Sequence, residues 1–468
     1  MKFRANSSLA QRGSVLIIVI WVAFGLVAVT LYFGASMAFE LRASDNRVAA
    51  LQADLAIEGA ARYASNLLAT VNVPGLSPDL TPDQCEDVAV GDARFWFIGR
   101  ATTQTTPNLP AFGLVDEASK LNLNTASRAM LEALPNMTAE IAGAIIDWRD
   151  TDSNPTSNGA EDETYLRLTP ARHCKNAPFE SVEELRLVSG MTTELLYGED
   201  SNLNGILDPN ENDGDYSAPT DNRDGKLDAG LLSYFTVSSR EPMSGRTNVN
   251  NAAQIRALLQ NQFSEKRATE LLGNAGAGGG PGGGPGGGGG GGATTFGSVL
   301  EFYIKSKMTA DELDQIYSEL SSTNTATVDG LINVNTASEA VLACVPGIGT
   351  DGAASLVGAR LSKVTSGQIT SPAWVVDVLG AQKATRAGPY LTTLSFQFTA
   401  DIAAVGRNDR GFRRAKFVFD TSEGTPKILR RQDLTQLGWA LGEQVRKDIQ
   451  LGRDSRTLAS TGNRTMTK

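Results

Sequence analysis

The strongest constraint on this chain is an uncharged run from Ser14 to Phe39. As a helix those 26 residues would span about 39 Å, enough to cross a hydrocarbon core of about 30 Å. The run exceeds the roughly 7–15 residues of a secretory signal core, and no small-residue cleavage motif follows it. Lys2, Arg4 and Arg12 precede it, which keeps the short N-terminal flank cytoplasmic and sends the bulk of the chain to the other side of an inner membrane. Beyond Phe39 the sequence stays helical in pattern but gains Glu40, Arg42, Asp45, Arg47, Asp54 and Glu58. Leu41, Val48, Leu51 and Leu55 recur at helical spacing, so one long helix is expected to begin apolar all round and become amphipathic.

A short basic leader, a Gly13–Ser14 junction, an apolar run and this amphipathic continuation resemble a type IV prepilin or pseudopilin. The resemblance implies cleavage by a prepilin peptidase after Gly13 and methylation at the new terminus, Ser14. The family usually has a glutamate at the fifth mature position, thought to pair with a neighbouring subunit's terminal amine. Here that position is Ile18. A subunit without that carboxylate cannot make this contact with one above it, which implies a place at the filament tip.

Downstream, Ala93–Phe97 and Gly113–Asp116 read as short strands. From Leu121 the pattern is mainly helical, and from Leu394 it alternates again. Phe396, Phe398, Ala400 and Ile402 face one way, Gly406–Gly411 carries a turn signal, and Arg414–Asp420 alternates on the return, a β-hairpin; residues 426–431 offer a third strand. Strands on both sides of a helical block predict an insertion into one sheet. The expected fold is α+β: a type IV pilin-like unit, with a long N-terminal helix and an antiparallel sheet, carrying a large α-helical insertion. The expected divisions are a leader (1–13), a transmembrane helix (14–39), the pilin-like helix and first strands (40–120), the insertion (121–393), the returning strands (394–443) and a disordered polar tail (444–468).

Inside the insertion, segments at Asn122 (NLNTAS), Asn248 (NVNNAA) and Asn333 (NVNTAS) resemble one another, each opening a helical run with capping residues. They read as helix-hairpin-helix-like repeats. A tract at 276–292 with 14 of the 48 glycines is a flexible linker set between repeats.

The chain resembles the protein K family of minor pseudopilins of the type II secretion system. The carrying residues are the Gly13–Ser14 junction without its glutamate, Leu121–Ser127, Trp148–Asp150, Gly159–Asp162, Lys175–Met191, and Leu196–Asp200 with the acidic loop after it. The resemblance implies a non-enzymatic subunit forming the pseudopilus tip with minor pseudopilins I and J, above a filament of the major pseudopilin. It also implies calcium in the inserted domain.

The acidic loop supports calcium on its own residues. Asp200, Asn202 and Asn204 occupy positions 1, 3 and 5 of a twelve-residue calcium loop, with Gly205 at the turn. The Ile206 carbonyl, Asp208 and Glu211 supply positions 7, 9 and 12, and Leu207 is expected to pin the loop to the core. Calcium needs six to eight hard oxygen donors, and a terminal glutamate can give two. A second cluster follows: Asp213, Asp215, Asp221, Asp224 and Asp228. Its centre, Asp224–Asp228, repeats the loop pattern, but Thr220 and Leu231 fall where positions 1 and 12 should be, so ligands such as Asp213 or Asp215 are needed from elsewhere. One or two calcium ions are therefore expected within 199–231.

Charge supports this address. The chain carries 42 basic and 52 acidic side chains, a net −10, yet residues 147–228 alone hold 19 acids against 7 bases. An acidic chain is a poor general nucleic-acid binder. The Pro346-Gly347-Ile348-Gly349 turn is the one hairpin with phosphate-binding chemistry, and it keeps open a second reading, a membrane-anchored pilin-like DNA-uptake protein. A single histidine, His173, offers no catalytic constellation. Cys85 and Cys174 could pair in an oxidising compartment, while Cys344 is expected to be buried and free.

Overall fold

The computed structural model describes residues 11–71, 73–100, 111–276, 295–364 and 370–451. Most of the leader, the glycine tract from 277 and the tail from 452 lie outside the described residues. Gln11–Ala69 is one 59-residue helix, α1. It is the one helix among the described residues long and apolar enough to cross a membrane, and none of its most apolar stretch is buried. From Ala49 onward one face is covered: Ala49, Ala53, Ala56, Ile57, Ala60 and Ala64 are all at most 2% exposed.

This corrects the expected amphipathic face. Leu41, Leu51 and Leu55 are more than 60% exposed, and the packed side is the alanine row. The reason is steric. The sheet opposite α1 presents Phe95, Phe97, Phe398, Phe417 and Phe419, and rings that large meet a helix closely only where its side chains are small.

The sheet contains β1 (Val88–Val90), β2 (Ala93–Ile98), β3 (Val115–Asp116), β4 (Gln397–Val405), β5 (Arg413–Asp420) and β6 (Lys427–Asp433). Its order is β1-β2-β4-β5-β6, with β3 beside β2 on the same edge of β4, and every pairing is antiparallel. Phe97 lies opposite Ile402, and Asp116 opposite Phe398. Strands from before and after the helical block are thus direct neighbours, so residues between β3 and β4 form an insertion into a single sheet.

All nine residues of β4 are buried, which requires cover on both sheet faces. The second cover is a helix, α2 (Gly442–Gln450), whose Val445 and Ile449 pack with Leu441 against Trp96, Ile98, Ala403 and Val405. The expected disordered tail therefore starts too early. Leu441, Val445 and Ile449 stand four apart, a short amphipathic stripe easily lost among polar neighbours.

The insertion holds three units of one plan. Each opens on a two-residue strand and closes on another lying parallel to it, pairing Leu121 with Phe235, Thr247 with Leu320, and Ile332 with Leu391. In each, the first asparagine folds back to accept the N–H two residues on: Asn122 from Asn124, Asn248 from Asn250, Asn333 from Asn335. In the first two units the next asparagine clamps a distant main chain through both amide atoms, Asn124 on Phe179 and Asn250 on Phe296. Ser127, Asn251 and Ser338 then cap the first helices. The glycine tract falls between helices Glu265–Ala275 and Val299–Ser306, inside the second unit.

Candidate metal centre

The acidic loop grows from the first unit. Helix Thr193–Tyr197 stops at Gly198, and the chain returns at Ala229, joined to Gly198 by a β-bridge. A Cβ on Gly198, itself at φ 59°, would lie 2.1 Å from the Asp228 carbonyl, and one on Gly230 would lie 2.1 Å from that of Leu196. This neck accepts no side chain at either glycine.

Between those glycines lie two turns with one hydrogen-bond pattern. In the first, Asp200 accepts the N–H of Asn204 and Gly205, Asn202 accepts that of Asn204, and Asn204 accepts that of Ile206. The Asn202 amide donates to Asp208, and Glu211 accepts the N–H of Ser201 and of Asp208. In the second, Asn222 accepts the N–H of Asp224, Asp224 accepts that of Lys226, and the Asn222 amide donates to Asp228. Leu203 and Arg223 both sit at φ 56°, followed two residues later by Gly205 at 72° and Gly225 at 75°.

The correspondence identifies the two groups that the second turn lacks in sequence. Gly225 N–H goes to Asn212, as Gly205 N–H goes to Asp200. Asp228 N–H goes to Glu199, as Asp208 N–H goes to Glu211, at 3.0 and 3.1 Å. Asn212 and Glu199 thus stand where positions 1 and 12 would be. Sequence reasoning missed both, because Glu199 lies 29 residues before Asp228 and the loop pattern is read forwards.

Among the described residues, the side chains of the expected contributors Asp213 and Asp215 make no hydrogen bond to the second turn. Asp213 is bound by Ser217, and Asp215 is exposed. Asp221 serves as a turn support, accepting N–H groups from Asp213, Gly214 and Arg223. Another correction concerns the pin: Ile206 is 3% exposed and lies against Gly442, whereas Leu207 is half-buried.

The electrostatics of the first turn are unfavourable as they stand. Asp200 and Glu211 are 4% and 1% exposed. Burial raises the Asp200 pKa despite Arg100, two N–H donors and Arg414. Burial, with Asp200 and Asp208 nearby, pushes Glu211 up to about 7. Among the described residues no three acidic, histidine or cysteine side chains converge closely enough to grip an ion without adjustment. The donor set is nonetheless all oxygen, rich in carboxylate and turned about Gly205, which suits a hard divalent cation of the calcium type.

The loop is docked on the sheet by Arg414. Its guanidinium is fully buried, paired with Asp401 of β4, and donates to the carbonyls of Asn202 and Leu203. Asn202 also reaches the Trp439 carbonyl just before α2.

Other expected sites resolve differently. Cys85 and Cys174 are free and buried in separate clusters, one under α1 and one in the insertion, with each Sγ next to backbone carbonyls; the expected pairing is not made. Cys344 is buried and free. His173 is exposed and its Nδ1 lies 2.9 Å from Asp162. A Cβ at Gly347, in the hairpin with phosphate-binding chemistry, would lie 2.9 Å from the Lys383 carbonyl, so this turn is covered by helix Ala381–Ala387. Gly13 and Ser14 lie within the first turn of α1.

Residues 106–197 match the family described as type II secretion system (T2SS), protein K. The chain is 41% identical over 61 residues to type II secretion system protein K of Klebsiella pneumoniae, and 41% over 61 to that of Dickeya chrysanthemi. It is 40% identical over 58 residues to a putative type II secretion system protein K of Escherichia coli K12. These stretches are 12–13% of this chain and only 16–19% of the relatives' own length. A solved complex titled GspK-GspI-GspJ, from the enterotoxigenic Escherichia coli type 2 secretion system, aligns over 84% of this chain and 99% of that one, at 13% identity and a TM-score of 0.36.

Proposed function

We propose that this chain is a non-enzymatic minor pseudopilin of a type II secretion system, placed at the pseudopilus tip in the inner membrane–periplasm space. The match of residues 106–197 to protein K carries this reading. It is supported by the apolar helix α1 packed on one sheet, and by the helical insertion between β3 and β4. Prepilin peptidase would cut after Gly13. Ile18, exposed in the apolar half of α1, offers no carboxylate to a following subunit, and the bulk of the insertion would obstruct one. The three units are helix-hairpin-helix-like elements used for packing and partner contact. The covered turn at Gly347 favours that role over binding nucleic acid. The partners are minor pseudopilins I and J, with the major pseudopilin below.

In this reading the loop binds two calcium ions. The first would be held by Asp200, Asn202, Asn204, the Ile206 carbonyl, Asp208 and Glu211. The second would be held by Asn212, Asn222, Asp224, Asp228 and Glu199. Bound calcium would supply the positive charge that the buried carboxylates lack and stabilise the insertion by mass action. The residues themselves fix the turns, exclude water at Glu211 and attach the loop to β5 through Arg414.

Co-purification tests the assignment. The full chain in detergent should form a stable complex with minor pseudopilins I and J of the same system. Binding to neither would sink the proposal. For the metal, the melting temperature should fall on chelation and return with calcium but not with magnesium.

A further inference from the structure

The turn between β4 and β5 is pressed onto α1 just beyond its apolar run. Cβ atoms at Gly406 and Gly411 would lie 2.1 Å from the Ala49 carbonyl and 2.3 Å from the Ala50 N–H, so the two backbones are in contact there. Arg407 reinforces the contact through Asp45 and Gln52, and Arg413 through Asp54. Arg42, Asn46 and Ala50, one row along the helix, then line an open depression with Arg410, Gly411 and Arg413.

Arg407 and Arg413 spend their charge on α1. Arg42, Arg47 and Arg410 are exposed and make no ion pair among the described residues. Arg42 stands three residues, about 4.5 Å, past Phe39, and Ala50 about 16 Å past it. A headgroup layer is roughly 5–8 Å deep on each side. If α1 spans the bilayer, Arg42 lies in that layer, and Arg410, which shares the depression with Arg42, stands within a Debye length, roughly 8–10 Å, of it. The acidic loop faces elsewhere: on β5, Arg413 turns to α1 while its neighbour Arg414 turns to the loop.

We infer that Arg42 and Arg410 form a docking surface for anionic phospholipid headgroups, which holds the folded head down on the membrane before the subunit enters the filament. The inference rests on the membrane placement proposed above. Charge complementarity and continuity with the spanning helix identify the occupant. A net-acidic protein would otherwise be repelled from an anionic leaflet.

The test uses the full chain in lipid nanodiscs with a fluorophore on the turn through N408C; the three native cysteines are buried. Headgroup-quencher lipids report contact. With phosphatidylglycerol present, the ratio of contacting to free populations should rise, and high salt should reverse it. R42E and R410E should each lower that ratio about fivefold or more. K266E, the same charge change on an insertion helix, should leave it unchanged. Equal quenching in neutral and anionic discs, or indifference to both reversals, would overturn the inference. Loss of membrane insertion in neutral discs would instead count against the anchor.

Discussion

Glu199 shows how much of the proposed second calcium site can hang on one side chain. It lies outside the loop pattern, yet its carboxylate accepts two main-chain N–H groups in the second turn, much as Glu211 does in the first. Replacing either by glutamine should remove one site, so calorimetric titration with calcium should fall from two ions to one in each single variant. Retention of two sites in Glu199→Gln, with loss in Asp215→Asn, would reverse the assignment. Arg414 carries a different prediction. Arg414→Met leaves Asp401 buried without its partner and should cost about 3–5 kcal/mol in denaturant unfolding. Adding Asp401→Leu should recover most of it, because the penalty belongs to the stranded charge. Glu183 gives the acid side. Burial would raise its pKa, but Lys416 and Arg430 outweigh that and hold it at about 2. Its folded value lies below its unfolded one, so its contribution is complete above about pH 4.5 and is lost as pH falls toward 2. Glu183→Gln should flatten that part of the stability curve. The first turn was legible in the sequence because its donors are consecutive. The second was half legible, since Glu199 is brought in by the neck at Gly198 and Gly230 and Asn212 by its contact with Gly225, which only the fold reveals.

Individual elements were legible where their pattern is local. The insertion's asparagine openings stand out because each asparagine serves its own turn, and the hairpin of β4 and β5 stands out by alternation. The packed face of α1 was not, because alanine is a weak hydrophobic signal, and only the phenylalanines opposite explain why alanine is required. The helix α2 was missed for a related reason: two buried large apolar residues, Val445 and Ile449, are enough when a sheet waits beneath them. Val445→Asp should therefore be severe. It places a carboxylate against Trp96 and Ile98 and should lower stability by about 3 kcal/mol or more. A change within about 0.5 kcal/mol would mean that α2 does not cover the sheet in solution. The Cys85–Cys174 pairing failed because adjacency in the domain order does not imply adjacency in space; the two thiols belong to different cores.

The whole molecule joins a small sheet unit to a large inserted head through a single strand order. Because β2 and β3 pair with β4, the head cannot swing as a bead on a linker; it enters and leaves through one sheet. Asp116 on β3 reinforces this by accepting hydrogen bonds from Asn333 and Thr336 of the third unit and from Ser395. In the proposed role such a head on a long N-terminal helix would end a helical filament, since Ile18 offers no carboxylate to a following subunit and the head would obstruct one. The most direct measurement of that claim is the copy number and position of this chain in purified pseudopili, by labelling and counting. One copy, at one end, is the expected result. Many copies distributed along the filament would contradict it.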